Sequence, residues 1–282
     1  PPYYINRSKA KRVKFEAALQ VPGVFKAGMI GAEPAVVADS YEAVQKGLEA
    51  IKVKWTKPPR PKEMDYEKEV REKARYYATR EEKGNLDHGF SQSARVITET
   101  YKTHCIQTCP LETDTALAVV RKNKTKVWAS TQYPFKARRL TAKYLDIPED
   151  KVRVVGCHVG GGFGGKIDTR IASEAALLSE FAGRPVKLIY SREDQFTREG
   201  RAKEATIMDI STGVDSQGNL MARKIDIFQD EGYGTSYVYD IPNVLTKLHI
   251  VEMPLRHATI RGTSYMQSVF AMESHTDEVA HS

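Results

Sequence analysis

Five glycines within seven positions, Gly160-Gly161-Gly162-Phe163-Gly164-Gly165-Lys166, constrain this chain more than any other stretch. Upstream, the valine-rich run Val152–Val155 is bounded by turn formers and predicts a buried strand. Downstream from Asp168, the residues Ile171, Ala175, Leu178 and Phe181 fall on one helical face, and Gly183 followed by Pro185 stops the helix. Glycines at a strand-to-helix junction let the backbone pass close to a bound group, and the first amides of a helix favour an anion. A cofactor carrying phosphate is therefore expected.

Two nucleotide patterns compete for the stretch. From Gly160 to Lys166 it approaches the ATP-binding pattern GxxxxGK[ST], but Ile167 stands where the magnesium-holding hydroxyl belongs. From Gly160 to Gly165 it matches GxGxxG, with a second strand at Val186–Tyr190 ending near Glu193 and Asp194 as candidate ribose ligands. That reading makes the chain an NAD(P)-dependent dehydrogenase. A tight turn without a ligand is the bland alternative, which the density of glycine disfavours.

Seven further segments, in one order, bear on the choice. GGGFGGK resembles the molybdopterin-contacting loop of the large subunit of the xanthine dehydrogenase and aldehyde oxidase family. Gly84–Thr103 (GNLDHGFSQSARVITETYKT) is similar to the segment that opens that family's molybdenum-binding region. Cys109–Ala118 resembles its HAPMEPHAALA element, Ser130–Pro134 its STQNP element, and Asp146–Val155 its LPEDKVRV strand. Gly183–Asp194, Asp240–Val244 and Ile260–Ala280 continue the match, the last against FRGFGxPQxxFAxExxxDELA. Val21–Trp55 resembles the family's preceding small domain with its usual insertion largely missing, which leans toward the isoquinoline oxidoreductase and aldehyde dehydrogenase branch.

The resemblance implies an α+β fold: mixed sheets with flanking helices, a truncated small N-terminal domain and the first molybdenum-binding domain. It implies a small α/β hammerhead-like domain at 1–57, a charged linker at 58–83 and the molybdopterin-binding first half at 84–282. The linker rests also on Pro58, Pro59 and Pro61, which forbid regular structure, and on a charged run after Asp65 that favours a solvated helix.

The implied chemistry is hydroxylation of an aldehyde or N-heteroaromatic compound with water as the oxygen source. Gln132 matches the glutamine whose amide hydrogen-bonds the molybdenum oxo ligand; a neutral amide polarises that group without adding charge. Phe163 and Gly164 match positions whose backbone lines the metal, and Gly161 and Gly162 are expected amide donors or steric permissions. Arg261 matches an arginine whose backbone reaches the pocket, with Gly262 allowing close approach. Metal ligation is expected through the pterin dithiolene, with none direct from protein. Ile167 replaces the glutamate that holds purines and Thr263 the phenylalanine that stacks the ring, so a purine substrate is not expected. Thr108 and Thr113 also depart from the HAPMEP element.

The family's general base lies in a GVGE motif downstream of Ser282, and neither Glu112 nor Glu273 sits in such a motif. The chain is thus expected to be a fragment or a split subunit, inactive alone, partnered by the second half of the molybdenum subunit. An iron–sulfur subunit with 2Fe–2S and an FAD subunit or a cytochrome are further implied partners, and the molybdopterin is expected plain or as its cytosine dinucleotide. A non-catalytic cofactor-binding scaffold is the alternative outside enzymes.

The net charge of +7 over 282 residues comes from basic residues interspersed with acids, not clustered with aromatics, which argues against nucleic acid. No apolar run approaches the roughly 20 residues that span a bilayer. Cys105, Cys109 and Cys157 cannot all pair, which favours a reducing cytoplasm over the periplasm or cell envelope. Without a second ligand pair, the three are expected as small buried apolar residues and His158 as a packed strand-end residue.

Overall fold

The computed structural model describes residues 8–56, 66–122, 124–167, 170–197, 201–230, 238–252, 256–257, 259–263 and 265–282. Pro58, Pro59, Pro61 and Asp168 lie outside the described residues. The fold is α+β, with mixed sheets flanked by helices. Contacts divide it into two compact units, 1–60 with 108–201 and 61–107 with 202–282.

In the first unit, β1 (Ala10–Lys14) pairs antiparallel with β4 (Lys52–Trp55), and β2 (Val24–Ile30) with β3 (Glu33–Ala38). The short α1 (Glu16–Leu19) precedes β2, and α2 (Tyr41–Ala50) is capped by Ser40, whose hydroxyl accepts from the Ala43 amide. The larger sheet has the order β10-β7-β8-β9, built from β7 (Thr115–Arg121), β8 (Lys124–Ala129), β9 (Val152–Gly156) and β10 (Val186–Ile189). β7 pairs antiparallel with both β8 and β10, whereas β8 and β9 are parallel and joined through α5 (Pro134–Leu145). α6 (Ile171–Ala182) and α5 cover one face. Ala116, Ala118, Val127, Ala129, Ala172, Ala175 and Ala176 are buried between sheet and helices, and these small side chains let the helix backbones approach closely. The expected helix stop holds: Gly183 adopts φ +67° and its amide bonds back to Ser179 and Glu180. β2 meets α6 through Phe181, over which Lys26 sits 4.3 Å from the ring centre. α7 (Arg192–Thr197) completes the unit.

In the second unit a five-stranded sheet has the order β5-β14-β13-β12-β6, from β5 (Arg75–Lys83), β6 (Arg95–Thr103), β12 (Thr206–Val214), β13 (Leu220–Gln229) and β14 (Asn243–Ile250). β13 and β14 are parallel and their neighbours antiparallel. Two short strands, β11 (Arg201–Ala202) and β15 (Arg256–His257), stand apart from this sheet. Met208, Ile210, Ile225, Ile227 and Leu248 form a core with Ala271 and Met272 of α8 (Tyr265–His281). Across the sheet, α3 (Tyr66–Lys73) buries Val70 against Ile207 and Val251. The Arg71 guanidinium holds Asp209 at 2.7 and 3.0 Å and keeps its carboxyl below the usual carboxylate range, against the opposing effect of burial. Asn85, which caps α4 (Leu86–Ser91), donates its own amide hydrogen bond to Asn243 Oδ1, so the GNLD and DIPNV segments meet.

The stretch expected as a linker, 58–83, is folded over its described part. The charged run after Asp65 is a helix as expected, but residues 75–83 form β5, paired along its length with β14. The compact units do not follow the expected boundary at 83/84 either: that position falls within the second unit, and residues 108–201 belong with the N-terminal segment. The thiols correct a further expectation. Cys105 and Cys109 lie in the connection between β6 and β7, Cys157 just beyond β9, and all three are exposed, as is His158. None sits on a strand face turned to a core. Among the described residues no helix is long and apolar enough to cross a membrane.

Under α8, the fully buried His275 faces Tyr101 Oη at 3.2 Å and Thr212 Oγ1 at 3.0 Å; Tyr101 donates to Glu278, and Arg223 donates to Thr212. Burial, and then the Arg223 charge, push its imidazole down to about 4. A base with a depressed folded-state pKa leaves stability intact above its unfolded value near 6.5 and loses it as pH falls from there toward 4. His275 should therefore remove about 2 kcal/mol between pH 7.5 and 5. Urea unfolding at both pH values checks this: His275→Gln should lose less stability on acidification than the wild type, and equal losses would contradict it.

Candidate functional site

Because β8 and β9 are parallel, their carboxyl ends emerge on the same edge of the sheet, where open α/β sheets collect ligands. Ser130–Pro134 leaves β8 there and opens α5, with Pro134 in the first helical turn. The glycine run leaves β9 at the same edge. Gln132 joins the two: its Oε1 accepts from the Gly164 amide at 2.9 Å and the Lys166 amide at 3.2 Å. In return the Lys166 carbonyl accepts from the Gln132 amide at 3.0 Å and from Thr131 Oγ1 at 3.2 Å.

This clamp explains why glycine is required. A Cβ on Gly162 would stand 2.4 Å from Gln132 Oε1, and one on Gly165 2.0 Å from Thr108 Oγ1. The missing side chains at these two positions are needed for packing of protein on protein, not for the approach of a ligand alone. Phe163 lies between them at φ +51° with its ring half exposed, a left-handed conformation that costs a non-glycine residue about 1–2 kcal/mol.

Donors at this site divide sharply. The amides of Gly160, Gly164, Gly165, Lys166 and Ile167 are all engaged within the protein. Those of Gly161, Gly162 and Phe163 have no hydrogen-bond partner among the described residues, and neither has Gln132 Nε2. Three successive amides and one carboxamide thus remain to face an acceptor. They are neutral, and the run's one charged side chain is neutralised: the Lys166 ammonium is buried and paired with Glu112 at 2.6 Å. Glu112 Oε2 also accepts from the Gly160 amide at 2.9 Å. Local sequence reading left Glu112 without a role; the signal that could have found it is the lysine ending the run, which needs a counter-charge if buried.

The nucleotide readings do not survive this geometry. A phosphate-binding lysine must be available, and Lys166 is engaged with Glu112. A dinucleotide fold needs β9 and the strand after its helix side by side and parallel, yet β7 and β8 stand between β9 and β10. Asp194, the candidate ribose ligand, accepts from the Ser191 amide and hydroxyl and closes the start of α7.

Ile167 is half-buried where the run ends, its amide bonded to the Gly164 carbonyl at 3.1 Å. Arg261, Gly262 and Thr263 belong to the second unit, where they form an exposed turn leading into α8. Gly262 has φ +90° and Thr263 φ +37°, with the Thr263 amide bonded to the Ile260 carbonyl at 2.9 Å.

Residues 68–282 match the family described as the molybdopterin cofactor-binding domain. A probable xanthine dehydrogenase component of Bacillus subtilis is 31% identical over 274 residues, 87% of this chain and 36% of that protein. The nicotinate dehydrogenase large molybdopterin subunit of Eubacterium barkeri is 34% identical over 167 residues, 59% of this chain and 38% of that protein. Among solved structures, quinoline 2-oxidoreductase from Pseudomonas putida 86 aligns with a TM-score of 0.75 at 20% identity, over 97% of this chain and 43% of the other. An aldehyde oxidoreductase from Desulfovibrio gigas aligns with the same score at 18% identity, over 97% and 37%. The chain therefore spans well under half the length of these proteins.

The backbone at Thr263 is directly testable. A β-branched residue at positive φ carries strain of about 1–3 kcal/mol, which glycine does not feel. Thr263→Gly should raise the unfolding free energy of the chain by about 1 kcal/mol in urea titrations. An unchanged or lowered value would contradict the strain.

Proposed function

The chain belongs to the molybdopterin cofactor-binding domain family, and from that premise we propose that it supplies the glycine-loop part of a molybdenum hydroxylase site. The observation that carries the proposal is the row of unengaged donors: Gln132 Nε2 and the amides of Gly161, Gly162 and Phe163, beside a carboxamide oxygen already held by Gly164 and Lys166. A cofactor rich in oxygen and sulfur acceptors fits such neutral donors, which bind it without opposing its reduction by added charge. When bound, the molybdenum carried by molybdopterin would supply the two-electron redox chemistry for hydroxylating a carbon with water as the oxygen source.

Each residue then has a task. Gln132 orients one acceptor of the cofactor through Nε2, while its Oε1 holds the loop. Gly161, Gly162 and Phe163 offer their amides, with Gly164 as the anchor that fixes them. Arg261 and Gly262 stand where the family resemblance has an arginine–glycine pair near the cofactor. Ile167 and Thr263 stand where its purine-specific members carry a glutamate and a phenylalanine, and their loss favours an aldehyde or a weakly polar N-heteroaromatic compound over a purine. The remainder of the molybdenum subunit, with its general base, an iron–sulfur protein and an FAD protein or cytochrome belong to the same proposal, as do the cytosine dinucleotide form of the cofactor and a cytoplasmic location. The exposed Tyr265, Met266, Val269 and Phe270 along the start of α8 support a covering partner.

Gln132→Glu separates the two ends of the side chain, because it keeps an oxygen for the loop and removes the Nε2 donor. In the assembled enzyme it should lower the rate roughly 10–100-fold while amide protection of the loop persists. A wild-type rate with full molybdenum content would remove Gln132 from the site.

Specificity gives a second test. At Ile167 a purine's ring nitrogens would lose water without gaining a partner, at about 1–3 kcal/mol per group. Without a ring at Thr263 a stacking contribution of about 0.5–1.5 kcal/mol is also missing. Steady-state kcat/KM should be lower for xanthine than for the best aldehyde or azaarene. Xanthine equal to or above all of them would contradict the assignment of Ile167 and Thr263.

A further inference from the structure

We propose that Glu112 is a positioning residue: through the buried Lys166 ammonium it straps both ends of the glycine run together and so sets the spacing of the three unengaged amides. This rests on the reading of the run as a molybdopterin loop. One carboxylate oxygen, Glu112 Oε2, accepts from the Gly160 amide at 2.9 Å and from Lys166 Nζ at 2.6 Å. The Glu112 amide meanwhile donates to the Gly160 carbonyl at 3.1 Å, so Gly160 is gripped on both its polar groups. At the other end, the Lys166 backbone is gripped by Gln132 and Thr131. The segment carrying Glu112 is itself fixed, because the Pro110 carbonyl accepts from the Arg192 guanidinium.

The strap depends on charge rather than on volume. The Lys166 side chain is 1% exposed and Glu112 33%, so the ammonium has little access to water. An ammonium buried this deeply requires a counter-ion, and without one it must lose its proton or leave the interior. Leaving would draw the end of the run with it, since the Lys166 amide and carbonyl are the anchor shared with Gln132. The lysine that suggests a phosphate ligand in the sequence is therefore an internal tie.

The test compares Glu112→Gln, Lys166→Met and Lys166→Arg in the assembled enzyme. Methionine fills the lysine's space without charge, and arginine keeps the charge. Hydrogen exchange is read over residues 157–167 and over α5 in enzyme from molybdate-starved cells; molybdenum and pterin per protein are read in enzyme from replete cells. Glu112→Gln and Lys166→Met should exchange about ten-fold faster in the loop, with α5 unchanged, and should retain several-fold less molybdenum. Lys166→Arg should recover most of both. Wild-type protection in Glu112→Gln, or in Lys166→Met, would overturn the strap. A loosened loop with full molybdenum content would overturn the positioning role. Wild-type enzyme without molybdenum would overturn the underlying cofactor reading, and the positioning role with it, whatever the exchange rates.

Discussion

Parallel strands cannot be closed by a hairpin; they need a crossover, and between β8 and β9 that crossover is α5. Its consequence is that both strands end at one edge of the sheet. The Ser130–Pro134 turn and the glycine run, about 30 residues apart in sequence, become neighbours without any long-range search for each other. A single side chain then converts proximity into structure. Gln132 Oε1 accepts from two amides of the run, and the Gln132 backbone N–H returns a hydrogen bond to the Lys166 carbonyl. Shape at the site follows from that reciprocal pairing.

Five glycines in a loop cost conformational entropy, so something must hold the loop. Here it is held by side chains that occupy the volume the glycines leave open: Gln132 over Gly162 and Thr108 over Gly165. The Lys166–Glu112 pair adds an electrostatic tie and neutralises the one charged side chain of the run. The result is an array of neutral dipoles held in place by protein contacts. Such an array suits a cofactor that changes oxidation state, because its stabilisation of the bound group does not depend on a fixed counter-charge.

Much of this was legible in the sequence, and the exceptions have physical causes. α6 and its stop at Gly183 were clear because a buried helix face and a left-handed terminal glycine both leave a strong local signal. β5 was not. Its residues Arg75–Lys83 are largely exposed because β5 lies at the edge of its sheet, so the alternation that marks a half-buried strand is replaced by charge, and the segment looks like a linker. The cysteines were misjudged for the converse reason: thiols are usually buried, but these three lie outside the strand faces that pack. Glu112 could not be assigned locally, since its partners Gly160 and Lys166 lie 48 and 54 residues away. The false dinucleotide match shows the same limit. GxGxxG describes a turn, whereas the position of β10 beyond β7 and β8 is a property of the whole sheet.

The most direct measurement is an anomalous difference map recorded at the molybdenum absorption edge from crystals of the assembled enzyme. One strong peak is expected within reach of Gln132 Nε2 and the amides of Gly161, Gly162 and Phe163, with pterin density beside it. A molybdenum peak remote from these donors, or a nicotinamide nucleotide lying along the glycine run, would contradict the assignment.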